Sequence, residues 1–442
     1  MIRARAYPIR PPAAVTYRIA ATKWRPGVQK PLAARYSRAM TSLTATENAA
    51  IERAADAPML SQVERWAAIN SGTGNLAGLK RVAGELADAF SALPGEVRLV
   101  AADPVESVDA AGQIRTTECG DHLHLRVRPK APVQLLLTGH MDTVFAADHP
   151  FQSLQWIEPG VLNGPGTADM KGGLSVILAA LTALESSPLA ERVGYDVMIN
   201  SDEETGSHAS AVLIAELAKG KTAALTYEPA LPDGTLAGAR PGSGNFSVIV
   251  HGLSAHAGRN PDDGRNALLA AADLALRLAK LKSPTLKVNP AKIDGGGPNN
   301  VVPDSAILRV NMRPSTPEAM IEAEAELRDA VAAVSREHDV HCHIHGNFNR
   351  PPKPLDPAAT RLFELVRDCG AALGLPPIGW NATGGVCDGN NIAACGIPVV
   401  DTMGPRGGAI HSPDEFLITG SLAERAQLSA LTMLRIAERG TV

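Results

Sequence analysis

Hydrophobic residues recur at three- to four-residue spacing near the start of the patterned part of the chain. Residues 49–69 and 76–93 follow this period, which predicts amphipathic helices. Residues 122–128 and 132–140 are short apolar runs typical of strands, and the second is apolar enough to lie centrally in a sheet. The next segments are predicted as helix, strand, helix and strand in turn: residues 170–187, 195–204, 207–220 and 223–230. Strands that alternate with helices indicate a layered α/β domain.

A different pattern begins after Pro241. The predicted strands of this region are residues 245–256, 306–314 and 340–346. The predicted helices are residues 265–281 and 317–338. Two ββα-like halves of this kind predict a small α+β sandwich of about 100 residues, inserted into the first domain. From about residue 350 the α/β character returns as a helix, a strand and a final helix, at residues 360–374, 397–404 and 421–439.

Length and charge narrow the class of protein. The chain has 442 residues, which is too long for one ordinary core and suits two domains. A net charge of -4 gives no electrostatic reason to expect nucleic acid, and aromatic residues are scarce at 4%. No run approaches the ~20 apolar residues that a membrane helix needs. We expect a soluble protein without a nucleic-acid or membrane partner.

The five cysteines are odd in number and form no close pair, which argues against a disulfide framework or a structural zinc site of cysteines. Residues 1–46 carry nine Lys or Arg and no acidic residue. This bias fits a transit peptide, a basic disordered arm, or an upstream extension of a start at Met40. We expect residues 1–45 to form a disordered arm, and the protein to be cytoplasmic.

An apolar strand runs directly into His140 and Asp142. Because they are two residues apart, both side chains project from one face at the strand's end, where open α/β sheets bind ligands. His140 is suited to ligate zinc through one ring nitrogen while Asp142 accepts the other N–H. The alternative is a loop histidine beside a helix-capping aspartate, and this motif alone leaves the two interpretations equal.

Further acidic residues stand in comparable positions. Asp169, in a glycine-rich turn, could cap the following helix; a cap can also be a ligand, and its carboxylate could bridge two metal ions ~3.5–4 Å apart. Glu203 and Glu204 follow a strand and point in different directions, so one suits metal binding and the other proton transfer; a charged loop is the alternative. Glu228 ends another strand, and His411 follows two glycines and two apolar residues.

Together these residues supply two histidines, a potential bridging aspartate and further carboxylates. Such mixed ligands suit two Zn²⁺ ions, and the same ligands also accept Co²⁺ or Mn²⁺. An open coordination position would hold a nucleophilic water. The sequence therefore predicts a hydrolytic site with two metal ions.

Seven motifs carry a family resemblance: HMDTVF, GPGTADMKGG, DEETGS, EPA, SAHAG, NNVVP and HSPDEF. In this order they resemble the dizinc metallopeptidases that include glutamate carboxypeptidase of the carboxypeptidase G type, acetylornithine deacetylase and succinyl-diaminopimelate desuccinylase. The likeness extends from about residue 46 to 440. It implies a mixed-sheet, three-layer α/β catalytic domain of residues 46–241 and 350–442. An α+β sandwich of residues 242–349 would be an inserted lid that mediates homodimer formation.

The resemblance also implies a role for each site residue. His140 and Glu228 would hold one zinc ion, Glu204 and His411 the other, and Asp169 would bridge them. Asp142 would support His140. Glu203 would act as the general base, taking a proton from the attacking water and delivering it to the leaving amine.

The same resemblance assigns residues outside the metal site. His256 matches a histidine that reaches a neighbouring subunit's active site and stabilises the oxyanion. Asn300 and Arg313 match positions that contact a substrate carboxylate, and Gly384 with Gly385 match a substrate-side glycine loop. From the sequence alone, His256 would be an ordinary loop histidine and Arg313 a surface strand residue.

The predicted function is zinc-dependent hydrolysis of an amide bond that releases a free amino acid. Within that family the TGGVCDGNNIA loop and the NSGTGN segment most resemble the carboxypeptidase G type. The resemblance implies a carboxypeptidase, acting on a C-terminal Glu or a similar residue, or an N-acyl-amino-acid hydrolase. The enzymatic alternative is a deacylase like acetylornithine deacetylase or succinyl-diaminopimelate desuccinylase. The non-enzymatic alternative is a metal-binding regulatory protein of the same fold, which would require loss of a ligand or the base.

Overall fold

A computed structural model describes residues 43–442 of the chain. Residues 1–42 of the predicted basic arm lie outside the described residues. The last residues assigned to that arm lead directly into the first helix, whose N-cap Thr44 accepts a hydrogen bond from the N–H of Glu47 at 3.1 Å. The first described helix therefore begins one residue before the predicted boundary at residue 46.

This part of the chain contains ten α-helices, together with short 3-10 and π-helical turns. The α-helices are α1 (Ala45–Ala55), α2 (Met59–Ala67), α3 (Leu76–Phe90), α4 (Gly173–Glu185), α5 (Ala211–Ala218), α6 (Ala267–Lys280), α7 (Pro317–Glu337), α8 (Pro357–Ala372), α9 (Asp388–Ala394) and α10 (Ser421–Arg439). The predicted helical stretch 49–69 is divided into α1 and α2 at Pro58, because proline lacks the N–H that would continue the helix.

The strands of the same residues are β1 (Glu96–Val100), β2 (Val105–Val108), β3 (Ile114–Thr117), β4 (His122–Val127), β5 (Val133–His140), β6 (Gln155–Glu158), β7 (Val161–Asn163), β8 (Val193–Asn200), β9 (Ala223–Thr226), β10 (Leu236–Ala237), β11 (Ser243–His251), β12 (Leu286–Gly295), β13 (Ser305–Pro314), β14 (His341–Arg350), β15 (Trp380–Asn381), β16 (Val399–Val400), β17 (Gly407–Gly408) and β18 (Phe416–Ile418). Several of the shortest strands, and β12, were not predicted from the sequence.

The central sheet is mixed and has the order β1-β4-β8-β5-β9-β16. β5 pairs in parallel with β8 and β9, whereas β1 and β4 add antiparallel strands. Leu135 and Leu137 of β5 pack with residues of α1, α4 and α10, while Leu136 packs with residues of α5 and α9 on the other face. Because both faces of β5 are covered, its sequence is a continuous apolar run, and the predicted α/β layering is confirmed.

A second sheet has the order β12-β13-β11-β14 and is antiparallel throughout. The helices α6 and α7 cover one of its faces and form a separate hydrophobic core with it. The chain order strand, helix, two strands, helix and strand is the split βαβ arrangement rather than two ββα halves. The predicted halves are wrong because β12, which contains Pro290 and alternates lysines with apolar residues, was not recognised. The proposed division at residues 242 and 349 stays a prediction.

Within residues 43–442, one stretch is long and apolar enough to meet the length and composition of a membrane span. It is Thr167–Glu185, with a mean hydropathy of 1.3, and 94% of it is buried inside the protein. Its apolar residues contact the central sheet and α10. The stretch is therefore accounted for as the core helix α4 and the turn before it.

Candidate metal centre

His140 is the last residue of β5 and its side chain is 1% exposed. Nδ1 of the imidazole lies 3.1 Å from the main-chain carbonyl oxygen of Asp142, which can only accept a hydrogen bond. Nδ1 therefore carries a proton, and Nε2 faces the neighbouring carboxylates. The carboxylate Oδ1 of Asp142 is farther from Nδ1, at 3.4 Å. Of the two contacts that Asp142 makes with Nδ1 of His140, the shorter one is therefore made by its main-chain oxygen and not by its carboxylate.

The carboxylate of Asp142 has a second set of contacts that the sequence did not suggest. Oδ1 accepts the N–H of Glu203 at 3.2 Å, and Oδ2 accepts the N–H of Glu204 at 3.1 Å. Oδ2 also accepts the hydroxyl of Thr73 at 2.8 Å. The fully buried Asp142 therefore fixes the main chain of both glutamates relative to His140.

Asp169 lies in the turn Thr167–Gly172, and α4 begins only after it, with Gly172 at its N-cap. The alternative that Asp169 caps this helix is therefore wrong. The carboxylate of Glu415, 1% exposed, accepts three main-chain N–H groups of the turn at 3.0–3.1 Å. They belong to Gly166, Ala168 and Asp169. Gly166 has a φ of 73°, in the left-handed region that glycine adopts without strain.

The two carboxylate oxygens of Asp169 face different histidines. Oδ1 lies 3.1 Å from Nε2 of His140, and Oδ2 lies 3.3 Å from Nε2 of His411. Oε2 of Glu228 is 3.7 Å from Nε2 of His140, and Oε2 of Glu204 is 3.2 Å from Nε2 of His411. The structure thus brings the five predicted metal ligands together as two histidine–glutamate pairs with Asp169 between them.

Glu203 lies beside this cluster. One of its carboxylate oxygens is within 4.8 Å of the ligand atoms of His140 and Glu228. Glu203, Glu228, Asp169 and His411 also line a common cavity of about 350 Å³. Glu203 thus lies beside His140 and Glu228, whereas Oε2 of Glu204 is 3.2 Å from Nε2 of His411.

The buried cluster contains more carboxylates than positively charged side chains, and the pKa values of its residues are shifted from their ordinary values. Burial raises the pKa of Glu228 to about 7 and that of Glu203 well above its ordinary value. Burial alone would lower the pKa of His140, but the carboxylates of Glu228, Asp142 and Asp169 raise it well above its ordinary value. Hydrogen bonds to Asp169 and Glu204 raise the pKa of His411 to about 11.

Divalent metal ions fit this donor set. Imidazole nitrogens and carboxylate oxygens are ligands that Zn²⁺ accepts, and a carboxylate that faces two donor pairs is arranged to bridge two ions. Cations would also compensate the buried negative charge of Asp169, Glu204 and Glu228. Two groups of metal-binding geometry are found within residues 43–442, and both belong to this cluster: His140 with Asp169 and Glu204, and His140 with Glu203 and Glu228.

The site residues predicted outside the metal cluster do not all lie near the cavity. Gly385 lines the cavity, and Gly384 accepts a hydrogen bond from Nη1 of Arg313 at 3.0 Å. His256 and Asn300 are exposed and lie outside the cavity lining within the described chain. One chain therefore does not bring His256 and Asn300 to the metal cluster.

Arg240 lines the cavity although sequence analysis assigned it no role. The side chain is 8% exposed, and Nε donates to Oδ2 of Asp401 at 2.7 Å. Lys353 donates to the same oxygen at 2.9 Å. Within residues 43–442, neither Nη1 nor Nη2 of Arg240 has a hydrogen-bond partner. A buried arginine with one edge free towards a cavity was not recognisable from its position beside Pro241 in the sequence.

The fold and the site define a metal-dependent hydrolase of the metallopeptidase type. Over residues 136–435 the chain matches the family described as Peptidase family M20/M25/M40, and it belongs to that family. It is 28% identical to carboxypeptidase G2 from Pseudomonas sp. (strain RS-16) over 384 residues, which cover 84% of this chain and 88% of that protein. The chain is accordingly a metal-dependent hydrolase of amide bonds, and the predicted family and enzyme class are confirmed.

Two further comparisons agree with this membership. A succinyl-diaminopimelate desuccinylase from Nitrosospira multiformis is 26% identical over 347 residues, covering 72% of this chain and 88% of that protein. A crystal structure of a tripeptidase from Staphylococcus aureus superposes with a TM-score of 0.66 at 24% identity, covering 88% of this chain and 99% of that one. The structural likeness shows that the two proteins share their fold over most of this chain.

Glu415→Gln is expected to weaken metal binding by roughly 10- to 100-fold, the usual effect of losing a group that orients a ligand. The amide keeps one acceptor oxygen but replaces the other with a donor, which faces the N–H groups of the Asp169 turn. Zinc titration of the metal-free protein measures the change. Glu216→Gln, on the exposed side of α5, is the matched control. Unchanged zinc affinity in Glu415→Gln would show that the turn holds Asp169 without this carboxylate.

Proposed function

We propose that the chain is a dizinc hydrolase that cleaves an amide bond and releases a free amino acid. The observation that supports this most strongly is the position of Asp169 between two histidine–glutamate pairs, beside Glu203 and at the wall of a cavity. His140 and Glu228 would hold one ion, His411 and Glu204 the other, and Asp169 would contact both. The metal identity is proposed from the donor set, which Co²⁺ and Mn²⁺ also fit.

Each protein group has a distinct task in this proposal. When bound, the ions would polarise the scissile carbonyl and lower the pKa of the attacking water. Glu203 accepts a proton from the attacking water and delivers it to the leaving amine, because its carboxylate borders the cluster without belonging to either histidine–glutamate pair. Asp142 keeps Glu203 and Glu204 in place through their main-chain N–H groups.

We also propose that the active form is a homodimer in which His256 acts on the neighbouring subunit's substrate. His256 is exposed after β11, and the same part of the chain exposes Leu253, Leu269 and Leu276 by 54%, 61% and 66%. Burial of such apolar side chains against a second copy would be favourable. A monomer with full activity, measured by sedimentation at assay concentration, would contradict the role of His256 in trans.

The proposed substrates are peptides or N-acyl amino acids with a free carboxylate, and C-terminal glutamate is the first choice. The likeness to carboxypeptidase G2 supports this choice. The likeness to a desuccinylase keeps acyl-diamino-acid substrates as the second candidate. A cytoplasmic location is proposed because all five cysteines are unpaired.

Metal analysis combined with a substrate series tests the proposal. We expect about two zinc ions per chain and release of glutamate from acyl-glutamates at rates that depend on bound zinc. The series should include N-acetylornithine and N-succinyl-diaminopimelate. Activity confined to these two would reject the carboxypeptidase assignment, and a metal-loaded protein without any amidase activity would favour the regulatory alternative.

Arg240 is proposed to bind the carboxylate of the amino acid that is released. The free Nη edge of its guanidinium can form a two-point contact with a carboxylate. We expect Arg240→Ala to lower kcat/KM by about 10- to 100-fold, since hydrogen bonds to charged groups contribute about 1.5–3 kcal/mol. Asp401 keeps Lys353 as its partner in this variant. Steady-state kinetics on an acyl-glutamate measures the loss.

A substrate with an α-carboxamide is the matched control for this prediction. The parent enzyme should prefer the acid to the amide, and Arg240→Ala should lose most of that preference. Arg313→Ala tests the position that the sequence assigned to the same task. If Arg313→Ala removes the preference and Arg240→Ala retains it, the carboxylate contact belongs to Arg313.

A further inference from the structure

Arg350, the last residue of β14, is a buried arginine that contacts Glu203 from outside the cavity. Its side chain is 2% exposed, and it is not among the residues that line the cavity. Nη2 donates to Oε1 of Glu203 at 2.7 Å and to the main-chain oxygen of Glu203 at 3.3 Å. β14 thus directly contacts the predicted catalytic residue Glu203.

Residues of α9 hold the other side of the guanidinium. Nη1 donates to Oδ1 of Asp388 and to Oδ1 of Asn391, the latter at 2.8 Å. Asp388 is 2% exposed and also accepts the hydroxyl of Ser207 at 2.6 Å and the amide of Asn200 at 2.9 Å. Asp388 is thus held in place by Ser207 and Asn200. The guanidinium of Arg350 therefore has little freedom to move with the side chain of Glu203.

The end of β14 also holds the turn that carries Glu203. The side-chain amide of Asn349 donates to the carbonyl oxygen of Gly206 at 2.8 Å, and Nη2 of Arg350 donates to the hydroxyl of Ser207 at 2.9 Å. Two neighbouring residues of the strand therefore fasten both ends of the turn from Glu203 to Ser207. Glu203 is restrained from this side by β14 and from the other by Asp142.

A direct contact between Arg350 and substrate does not fit its environment. Its Nη1 and Nη2 groups have protein partners, and Nε is buried without one among the described residues. A group that is enclosed in this way can act on substrate only through Glu203.

We propose that Arg350 is a positioning residue for the reaction, fixing the carboxylate of Glu203 by occupying Oε1. The inference rests on the proposed role of Glu203 as general base. Glutamate has three rotatable side-chain bonds, and a misplacement of about 1 Å can cost ~10²-fold in rate. Asp388 makes this restraint rigid by holding the opposite side of the same guanidinium. Lysine cannot replace Arg350, because its single nitrogen does not bridge Glu203 and Asp388 in this planar arrangement.

Arg350→Lys in the full-length, zinc-loaded protein tests the proposal. We expect kcat to fall by roughly 10- to 100-fold while KM changes by less than about threefold, since the substrate is not contacted. Zinc content should stay at the parent value. The substrate is the acyl-amino acid that the parent hydrolyses fastest. A kcat within about threefold of the parent, or a loss expressed in KM, would overturn the proposal.

A double variant separates positioning from general structural damage. In a Glu203→Gln background, Arg350→Lys should lower kcat little further, because the group that it positions is already inactive. Additive losses would show that Arg350 acts independently of Glu203, which contradicts the proposal. The single variant Glu203→Gln is measured before the double variant. If it keeps full turnover, the assignment of Glu203 as the general base is wrong, and this result is distinct from a failure of the proposal for Arg350.

Arg435→Lys is the matched control for loss of a buried arginine. Arg435 pairs with Glu47 of α1 at 2.9 Å, with side chains 8% and 10% exposed, and neither residue lines the cavity. It should keep the parent kcat at any temperature where it remains folded. Should Arg350→Lys not fold, Asp388→Asn replaces it, because the amide is similar in size and weakens the same anchor. A folded Asp388→Asn with unchanged kcat would then reject the proposal.

Discussion

Glu203→Gln is expected to retain its metal ions and to lose turnover by roughly 10²- to 10⁴-fold, the usual contribution of a general base. The amide is close in size and still offers an oxygen to Arg350, whose hydrogen bond with Glu203 is 2.7 Å long. It cannot accept a proton at neutral pH, so the loss should fall on kcat. Metal analysis and steady-state kinetics on one preparation measure both quantities. Glu203→Ala should lose turnover to a similar extent.

Glu216→Gln makes the same chemical change on an exposed helix and should leave kcat unaltered. It excludes an effect of net charge alone. Turnover of Glu203→Gln within about tenfold of the parent would reject Glu203 as the base and direct attention to the other carboxylates at the cavity. Loss of zinc from Glu203→Gln would instead identify Glu203 as a ligand.

Asp169→Asn is expected to bind fewer metal ions and to lose about 10³-fold or more in turnover. Both oxygens of Asp169 face a histidine nitrogen, at 3.1 and 3.3 Å, and an amide offers only one ligand oxygen. Metal ions contribute several kcal/mol to stabilising the transition state, and each 1.36 kcal/mol corresponds to a factor of ten in rate. Metal content and kcat are the measured quantities.

Thermal unfolding with and without zinc gives an independent measure of the same site. An ion at about 100 times its Kd raises the free energy of unfolding by ~2.7 kcal/mol, and Asp169→Asn should show a smaller rise than the parent. Asp148→Asn, on the exposed loop after the same strand β5, is the control and should behave as the parent. Parent-like zinc content and stabilisation in Asp169→Asn would contradict a bridging role.

Glu203 is held by two parts of the chain that are distant in sequence. Asp142 binds its main-chain N–H from the end of β5, and Arg350 binds its carboxylate from the end of β14. β14 belongs to the sheet with its own core beside α6 and α7. The expected base therefore lies where the two sheets meet, and a displacement of β14 would move it.

Much of the fold was predictable from local patterns. The periodicity of residues 76–93, 265–281, 317–338 and 421–439 predicted helices that the structure contains as α3, α6, α7 and α10. The apolar run before His140 predicted the central strand β5, because a strand covered on both faces has no polar alternation. β12 was missed because Pro290 and its lysines weaken the pattern of an edge strand, and two ββα-like halves were therefore predicted in place of the split βαβ arrangement.

The site was predictable in its chemistry more than in its arrangement. Strand ends and glycine-rich turns indicated candidate histidines and carboxylates, and the family resemblance implied which five of them are ligands. The structure places those five in one cluster. The supporting groups were not found, because nothing local distinguishes them. Arg350 lies 147 residues from Glu203 in sequence, and Glu415 lies 246 from Asp169. Both resemble ordinary charged residues until the fold buries them beside a partner.

The sequence by itself determined the longer helices and most of the longer strands, and that histidines and carboxylates stand where strands end. These properties depend on the period of apolar residues and on the types of side chain, which are local. The tertiary structure decided which oxygen of Asp169 faces which histidine, which arginine reaches the cavity and which one holds Glu203. Those contacts join residues far apart in the chain, and only the packing of the two sheets and their helices sets the distances between them.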